Sequence, residues 1–411
     1  MFVRRTAAVL AATTVIGAVL APAALAADSS PSPSTAIPSG LYGSTDPTYD
    51  GVWRQSLALL AQDTAGVRPA AKAVDWLTGQ QCANGAFAAF RADASAACDA
   101  KTQVDTNSTA AAVQALAALG GHDDATGRAV TWLKSAQNKD GGWGYMAGGP
   151  SDTNSTSVVV GALHAVGKKP QSVSRDGKSP YDALLTLSMP CKGNGGGAFA
   201  YQPDKKGRLA ANADATAAGV TAGMGQGFVA QPGNTNALTG CVTTETPDRA
   251  DAAGNGANYL AGALAKTSYL KSSLPGADDQ PDYGNTADAV VALSSIGATK
   301  EAKKPLAWLE KNSAAWAAKS GPAAYAQLIF AAHSTGTDPR DFGGQDLVAK
   351  LNATGPAPST AGASATPSEK KDDEEKDDGG GLGVWWIVGV GLVAGVGIGF
   401  LISGRNKNRQ L

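Results

Sequence analysis

Two kinds of helical segment alternate along this chain. The first kind is apolar on nearly every face. Asp105-Thr106-Asn107-Ser108-Thr109 runs into Val113, Leu116, Leu119 and Gly120, and Asp152-Thr153-Asn154-Ser155-Thr156 into Val160, Leu163, Val166 and Gly167. Asp282-Tyr283-Gly284-Asn285-Thr286 runs into Val290, Leu293, Ile296 and Gly297, and Asn212-Ala213-Asp214-Ala215-Thr216 heads a weaker copy. Apolar residues three or four apart predict helices. The Asp, Asn, Ser and Thr heads can accept from the free N–H groups of a first turn, and the closing glycines permit a left-handed cap. Ala, Ser and Val fill the remaining positions, so no face is polar, and such a helix is buried all round. The second kind carries Trp76-Leu77 or Trp132-Leu133 and shows Lys, Asp and Arg on one face, as an outer helix would.

These segments repeat. Trp76-Leu77, Gln81 and Gly85-Ala86-Phe87 recur as Trp132-Leu133, Gln137 and Gly141-Gly142-Trp143, a period of 56 residues. The period holds at Gly197-Ala198-Phe199, with Leu184-Leu185 in place of Trp-Leu, and looser copies stand at Tyr259-Leu260 and Trp308-Leu309. Inner helices are predicted to begin near Asp50, Asn107, Asn154, Asp214, Asn285 and Gly321, and outer ones to cover about 69–80, 124–136, 178–189, 250–265, 300–312 and 341–352. Six alternating pairs predict an all-α, α6/α6 toroid, a double barrel, over an open solenoid.

The ends read differently from this body. Arg4-Arg5, an apolar stretch from Ala7 to Leu20 and Ala24-Leu25-Ala26 have the order of a secretory signal over 1–26. A segment without core-forming residues (27–40) leads into the toroid (41–352). An Ala/Pro/Ser and acidic tether follows (353–382), since such composition cannot bury enough apolar surface to order itself. Val384 to Ile402 is long and apolar enough to predict a membrane helix (383–403). Arg405, Lys407 and Arg409 lie in a basic tail (404–411), which predicts a single-pass plasma-membrane protein with the toroid outside and the C-terminus in the cytoplasm.

A formal net charge of -1 without a basic patch excludes nucleic acid as a partner class. Cys82, Cys98, Cys191 and Cys241 allow three pairings. Cys82–Cys98 with Cys191–Cys241 is preferred because each bond would staple a long inter-helix loop. No Cys-x-x-Cys pair exists and only three histidines are present, so no metal site is expected. His122, His164 and His333 stand singly, with no partner set for nucleophilic catalysis.

The Gln-x3-Gly-x-Trp spacing, Gln137 to Trp143 and with Phe at Gln81 to Phe87, resembles the QW repeat of squalene and oxidosqualene cyclases and the repeats of prenyltransferase β subunits. The Asp-Thr-headed inner segments resemble those of the cobalamin carriers transcobalamin and intrinsic factor. The resemblance implies the toroid over residues 41–352 and leaves the chemistry open, because one fold hosts many functions. The Asp-x-Asp-Asp acid of the squalene-type cyclases has no counterpart here, and no cysteine has the Asp two residues upstream that a prenyltransferase zinc site needs. Asp278-Asp279-Gln280-Pro281-Asp282 matches the magnesium motif of class I terpene synthases in letters. Pro281 would break the helix that motif requires, so a loop is predicted.

No catalytic residue or cofactor is therefore expected. A ligand site is expected where the inner helices begin, at Asp105, Thr106, Asn107, Asp152, Thr153, Asn154, Asp214, Asp282 and Asn285, with Trp143 and Phe199 as interior aromatics. The carrier resemblance implies a bulky corrinoid-like ligand, with a membrane transporter as partner. A cyclase- or prenyltransferase-like enzyme on an isoprenoid or lipid is the first alternative. An extracellular polysaccharide-active toroid is the second.

Overall fold

A computed structural model describes residues 36–234, 238–272 and 279–359. The signal segment, the membrane helix, the basic tail and the tether beyond residue 359 lie outside the described residues. No helix among the described residues is long and apolar enough to cross a membrane. The expected single-pass placement is accordingly corrected: nothing in the structure upholds it.

The described chain is helical, with α1 (Gly51–Thr64), α2 (Ala71–Gly79), α3 (Thr106–Leu119), α4 (Asp123–Ser135), α5 (Thr153–Ala165), α6 (Pro180–Leu187) and α7 (Ala213–Gly223). It continues with α8 (Arg249–Leu264), α9 (Tyr283–Ser295), α10 (Thr299–Asn312), α11 (Ala314–Ser320), α12 (Pro322–Thr335) and α13 (Leu347–Asn352). A two-residue antiparallel pair, β1 (Leu270–Lys271) and β2 (Pro281–Asp282), precedes α9. Helices α1, α3, α5, α7, α9 and α12 pack each on the next, and α12 returns to α1, so the inner ring is closed. Helices α2, α4, α6, α8, α10 and α13 back them in turn. This is the predicted double barrel. The short α11 is an additional connector that leans on α12.

The repeat motif is the joinery between the two layers. Phe87, Trp143 and Phe199 are fully buried. The Trp143 indole N–H donates to the Leu133 carbonyl of α4 at 2.7 Å, which leaves no polar atom of this large ring unpaired. Backbone N–H groups of Phe87, Trp143 and Phe199 donate to the hydroxyls of Thr109, Thr156 and Thr216, four residues past each helix cap. The Gln137 amide ties the Gly141 and Val173 carbonyls together. Gly141 has φ 89°, and a Cβ there would collide with the Ser179 carbonyl, so only glycine lets this turn sit on α6. Both preferred disulfides are present, Cys82–Cys98 and Cys191–Cys241. They close loops that lead from an outer helix toward the next inner or outer one.

Closure between α12 and α1 uses different means. Arg54 is 1% exposed. Its guanidinium donates to the carbonyls of Tyr42 and Thr45, to the Thr45 hydroxyl and to Asp50. The Tyr42 hydroxyl donates to the Pro356 carbonyl, and the Gln62 amide to Tyr42 and Asn352. Both ends of the toroid domain are thereby clasped onto α1.

Candidate functional site at the mouth of the ring

The inner helices present their N-termini at one end of the ring, the mouth. Asp105, Asp152 and Asp282 cap α3, α5 and α9, each accepting from a backbone N–H three residues on. Asn212 does the same for α7. The α7 helix thus begins before Asp214, not at it, and Asp214 takes the place that Asn107 and Asn154 take in their helices. That register decides the site. The Asn154 amide donates to Asp214 Oδ2 at 2.7 Å across the α5–α7 seam. The Asn285 amide donates to Asp282 Oδ2 at 2.8 Å. Thr106 and Thr153 fix the rim to the next repeat, through their N–H groups to the Tyr145 and Tyr201 carbonyls. Thr153 adds a hydroxyl bond to the Ala200 carbonyl.

Burial alters these carboxyls. Desolvation pushes Asp105 and Asp152 up to about 6, against the hydrogen bonds from Ser108 and Ser155. Asp214 rises to about 7: desolvation leads, the Asn154 bond opposes it, and the charges of Asp282 and Asp152 add to it. Asp282 is raised by burial as well. Tyr145 and Tyr201 are held above the ordinary phenol range by burial first, and by the nearby Asp105 and Asp152 charges second. Several buried oxygens here accept no hydrogen bond: Asn107 Oδ1, Asp152 Oδ2, Asn154 Oδ1, Asp214 Oδ1 and Asn285 Oδ1.

The space behind the mouth is filled by the chain itself. Between α7 and α8 the backbone turns into the ring. The Phe228 ring, 1% exposed, stacks on Phe330 of α12 and meets Trp53 of α1 edge-on at 5.4 Å. Its N–H donates to Gln114 of α3. Gly227 lies against Gly161 of α5 so closely that a Cβ on either would strike the other's Cα. Gln226 reaches the Ser295 carbonyl of α9, and Gln231 bonds His333 of α12. A segment that touches α1, α3, α5, α9 and α12 can only lie on the ring axis.

The sequence-predicted residues therefore divide. Asp105, Thr106, Asn107, Asp152, Thr153, Asn154, Asp214, Asp282 and Asn285 come together at the mouth. Trp143 and Phe199 lie between the helix layers instead. Trp143 packs there, and Phe199 rests on Gly219 of α7 and Gly256 of α8. The Asp278–Asp282 motif does not assemble among the described residues. Asp279 is exposed and paired with Lys271, while Asp282 pairs in β2 and caps α9; Asp278 lies outside the described residues. His164 is exposed at the end of α5 and faces neither core nor cavity. No group of three or more His, Cys, Asp or Glu able to hold a metal occurs among the described residues.

Sequence reasoning missed Trp53, Tyr145 and Tyr201 at the mouth, Asp288 with Gln327 deeper in the ring, and the Phe228 plug. Gln327 donates to Asp288 across the α12–α9 seam. A polar residue inside an otherwise apolar segment, as in Ala287-Asp288-Ala289, was the available signal. The Gly-rich run Gly225-Gln226-Gly227-Phe228 was another.

No family model matches the chain, and no curated protein matches it. Solved structures do. The ent-copalyl diphosphate synthase from Streptomyces platensis is 15% identical with a TM-score of 0.45 over 70% of this chain, which spans only 50% of that one. A type II terpene cyclase variant from Scytonema, in complex with geranylgeranyl dihydroxybenzoate as substrate, is 16% identical with a TM-score of 0.44, covering 72% of this chain and 79% of that one. A sugar epimerase from a ruminal bacterium is 14% identical with a TM-score of 0.40, over 65% and 78%. With all three TM-scores below 0.5, these likenesses say nothing about which residues of this chain act.

Proposed function

We propose that this chain is a proton-transfer enzyme acting on an isoprenoid or lipid-like substrate, with Asp214 as the acid at the mouth of the ring. One observation carries this reading. Asp214 is a buried carboxyl with one oxygen held by Asn154 and the other without a partner, and its pKa is pushed up to about 7. A carboxyl poised near the working pH best combines the protonated state with the readiness to give the proton up. Asn154 fixes its orientation, and burial first, with the charges of Asp282 and Asp152 second, favours its protonated form.

The absence of an Asp-x-Asp-Asp motif spoke against an enzyme. Here the acid is assembled from three separate repeats, which no local motif can reveal. The isoprenoid class follows from the resemblance of the repeat to squalene cyclases. The corrinoid reading loses ground because Phe228 and its neighbours occupy the ring axis that a bulky ligand would need. The polysaccharide reading loses ground because Asp105, Asp152 and Asp282 already serve as helix caps.

The test is incubation of the full-length chain with isoprenoid alcohols and squalene, followed by chromatography with mass detection. Proton-initiated isomerisation gives products of unchanged mass and altered retention. Asp214→Asn should lower their formation by at least about a hundredfold, the scale of general acid catalysis. The wild-type rate should fall as pH rises through about 7, where the acid loses its proton. An Asp214→Asn variant as active as wild type, or no isomer from any isoprenoid offered, would overturn the reading.

A further inference from the structure

We propose that the mouth recognises an uncharged hydroxylated head group, and that it rejects the diphosphate form of the same compound. The inference rests on the acid reading of this site and names the substrate class it serves.

Asn154 gives one amide hydrogen to Asp214 and Asn285 gives one to Asp282, so half of each amide's donor capacity is engaged within the site. The carbonyl oxygens of both amides are left over entirely. Asn154 Oδ1, Asn285 Oδ1 and Asp152 Oδ2 sit without partners on residues at least nine-tenths buried, and Asn107 Oδ1 joins them, while the protonated Asp214 presents its free Oδ1 as a donor. Such acceptors cost free energy until something donates to them. A hydroxyl donates.

A diphosphate brings only acceptors and negative charge to a place that already holds Asp105, Asp152, Asp214 and Asp282. Arg54 is buried and committed to Asp50, Thr45 and Tyr42, and Lys271, beside Asp282 in the β1–β2 pair, is bound to Asp279. Like-charge contact in a desolvated site is strongly unfavourable. An ammonium would satisfy the oxygens, but it would strip Asp214 of its proton and abolish the acid. Neutral carboxamides supply three of the four free acceptor oxygens, which suits a neutral donor. The floor limits what enters. Phe228 and Trp53 fill the ring behind the mouth, which leaves no room there for a bulky apolar tail.

The experiment compares three compounds with one tail: geraniol, geranyl diphosphate and geranylamine. Binding to the full-length chain is read by titration calorimetry. Geraniol should bind at least about tenfold more tightly than the diphosphate. Asn107→Ala should weaken geraniol about three- to tenfold, the worth of one neutral hydrogen bond. Its far-ultraviolet spectrum and unfolding midpoint should stay those of wild type, which separates lost binding from lost folding. Should Asn107→Ala unfold, Asn107→Ser, which keeps the helix but shortens the acceptor, carries the same expectation.

Diphosphate binding equal to or tighter than alcohol binding would overturn the inference. The acid reading would then stand if Asp214→Asn still loses isomerisation. Tightest binding of the amine, with proton release on binding, would overturn both. Geraniol binding with no isomer formed would uphold the head-group inference and sink the acid alone.

Discussion

The arc from α3 to α9 and the arc from α12 back to α1 close the same ring by different chemistry. In the first, every inner helix is capped by Asp or Asn, and a threonine four residues later holds an aromatic residue's backbone, or that of Leu270 before α9. In the second, neither Asp50 nor Gly321 makes a side-chain cap bond. Arg54 and Gln55 instead bind the segment just before α1 and the start of α2, while Gln62 reaches Asn352 and Tyr42 reaches Pro356, 290 and 314 residues away. Repetition thus builds an arc from local rules, and only a special set of long-range polar contacts shuts it. The candidate site follows the same division. Its residues come from the repeating arc, where one position past the cap is Asn in α3 and α5 and Asp in α7.

Four measurements would break or sharpen this contrast. The largest effect is expected in the repeating arc at its packing centre. Trp143→Ala should cost about 3–5 kcal/mol in denaturant unfolding, because a fully buried indole leaves a cavity and the bond that ties it to the Leu133 carbonyl is lost. A cost below about 1 kcal/mol would show that the aromatic does not join the layers.

In the closing arc, Arg54→Ala should cost about 1–3 kcal/mol, since it strands the buried Tyr42 carbonyl. Limited proteolysis should then cut first near residues 36–50, where the clasp has been released. Wild-type protection there would refute the clasp.

The third measurement concerns pH. Asp105, Asp152 and Asp214 have folded pKa values of about 6, 6 and 7, raised from 3.8. Below about pH 4 both states are protonated and the stabilisation is fully present. As pH rises, the unfolded chain ionises first while the folded chain keeps its protons. Stability therefore declines from about pH 4 until the folded carboxyls ionise near 6 to 7. Each such group steepens the decline by up to about 1.4 kcal/mol per pH unit. Asp214→Asn should flatten the profile between pH 5 and 7. A variant with the wild-type slope would place the titration elsewhere.

The smallest effect is expected at the caps. Asp105→Asn and Asp152→Asn should change stability by no more than a few tenths of a kcal/mol below about pH 4, where both carboxyls are uncharged, because Asn caps a helix about as well as Asp. A loss above about 1.5 kcal/mol in either would mean that the carboxylate does more than cap.

Much of this was legible in the chain. The Gln81–Phe87 and Gln137–Trp143 spacing gave the repeat, and the cap residues with their apolar runs gave six buried helices. The two disulfides followed from which loops needed closing. Those features are local: a cap, a period or a turn is set by residues a few positions apart, so it can be read in order. The carboxyl cluster was not local. Asp214, Asn154 and Asp282 belong to three helices, and only ring closure brings their side chains together and removes the water that would keep each carboxyl at its ordinary pKa. The Phe228 plug is of the same kind. Its glycines marked a turn, but which side of the helices that turn would face depended on an axis that exists only once α12 has met α1. The sequence by itself determined the helices and their pairing. The tertiary structure decided what fills the ring's axis and which carboxyls are buried together, because burial and electrostatic coupling depend on distances that the order of residues does not contain.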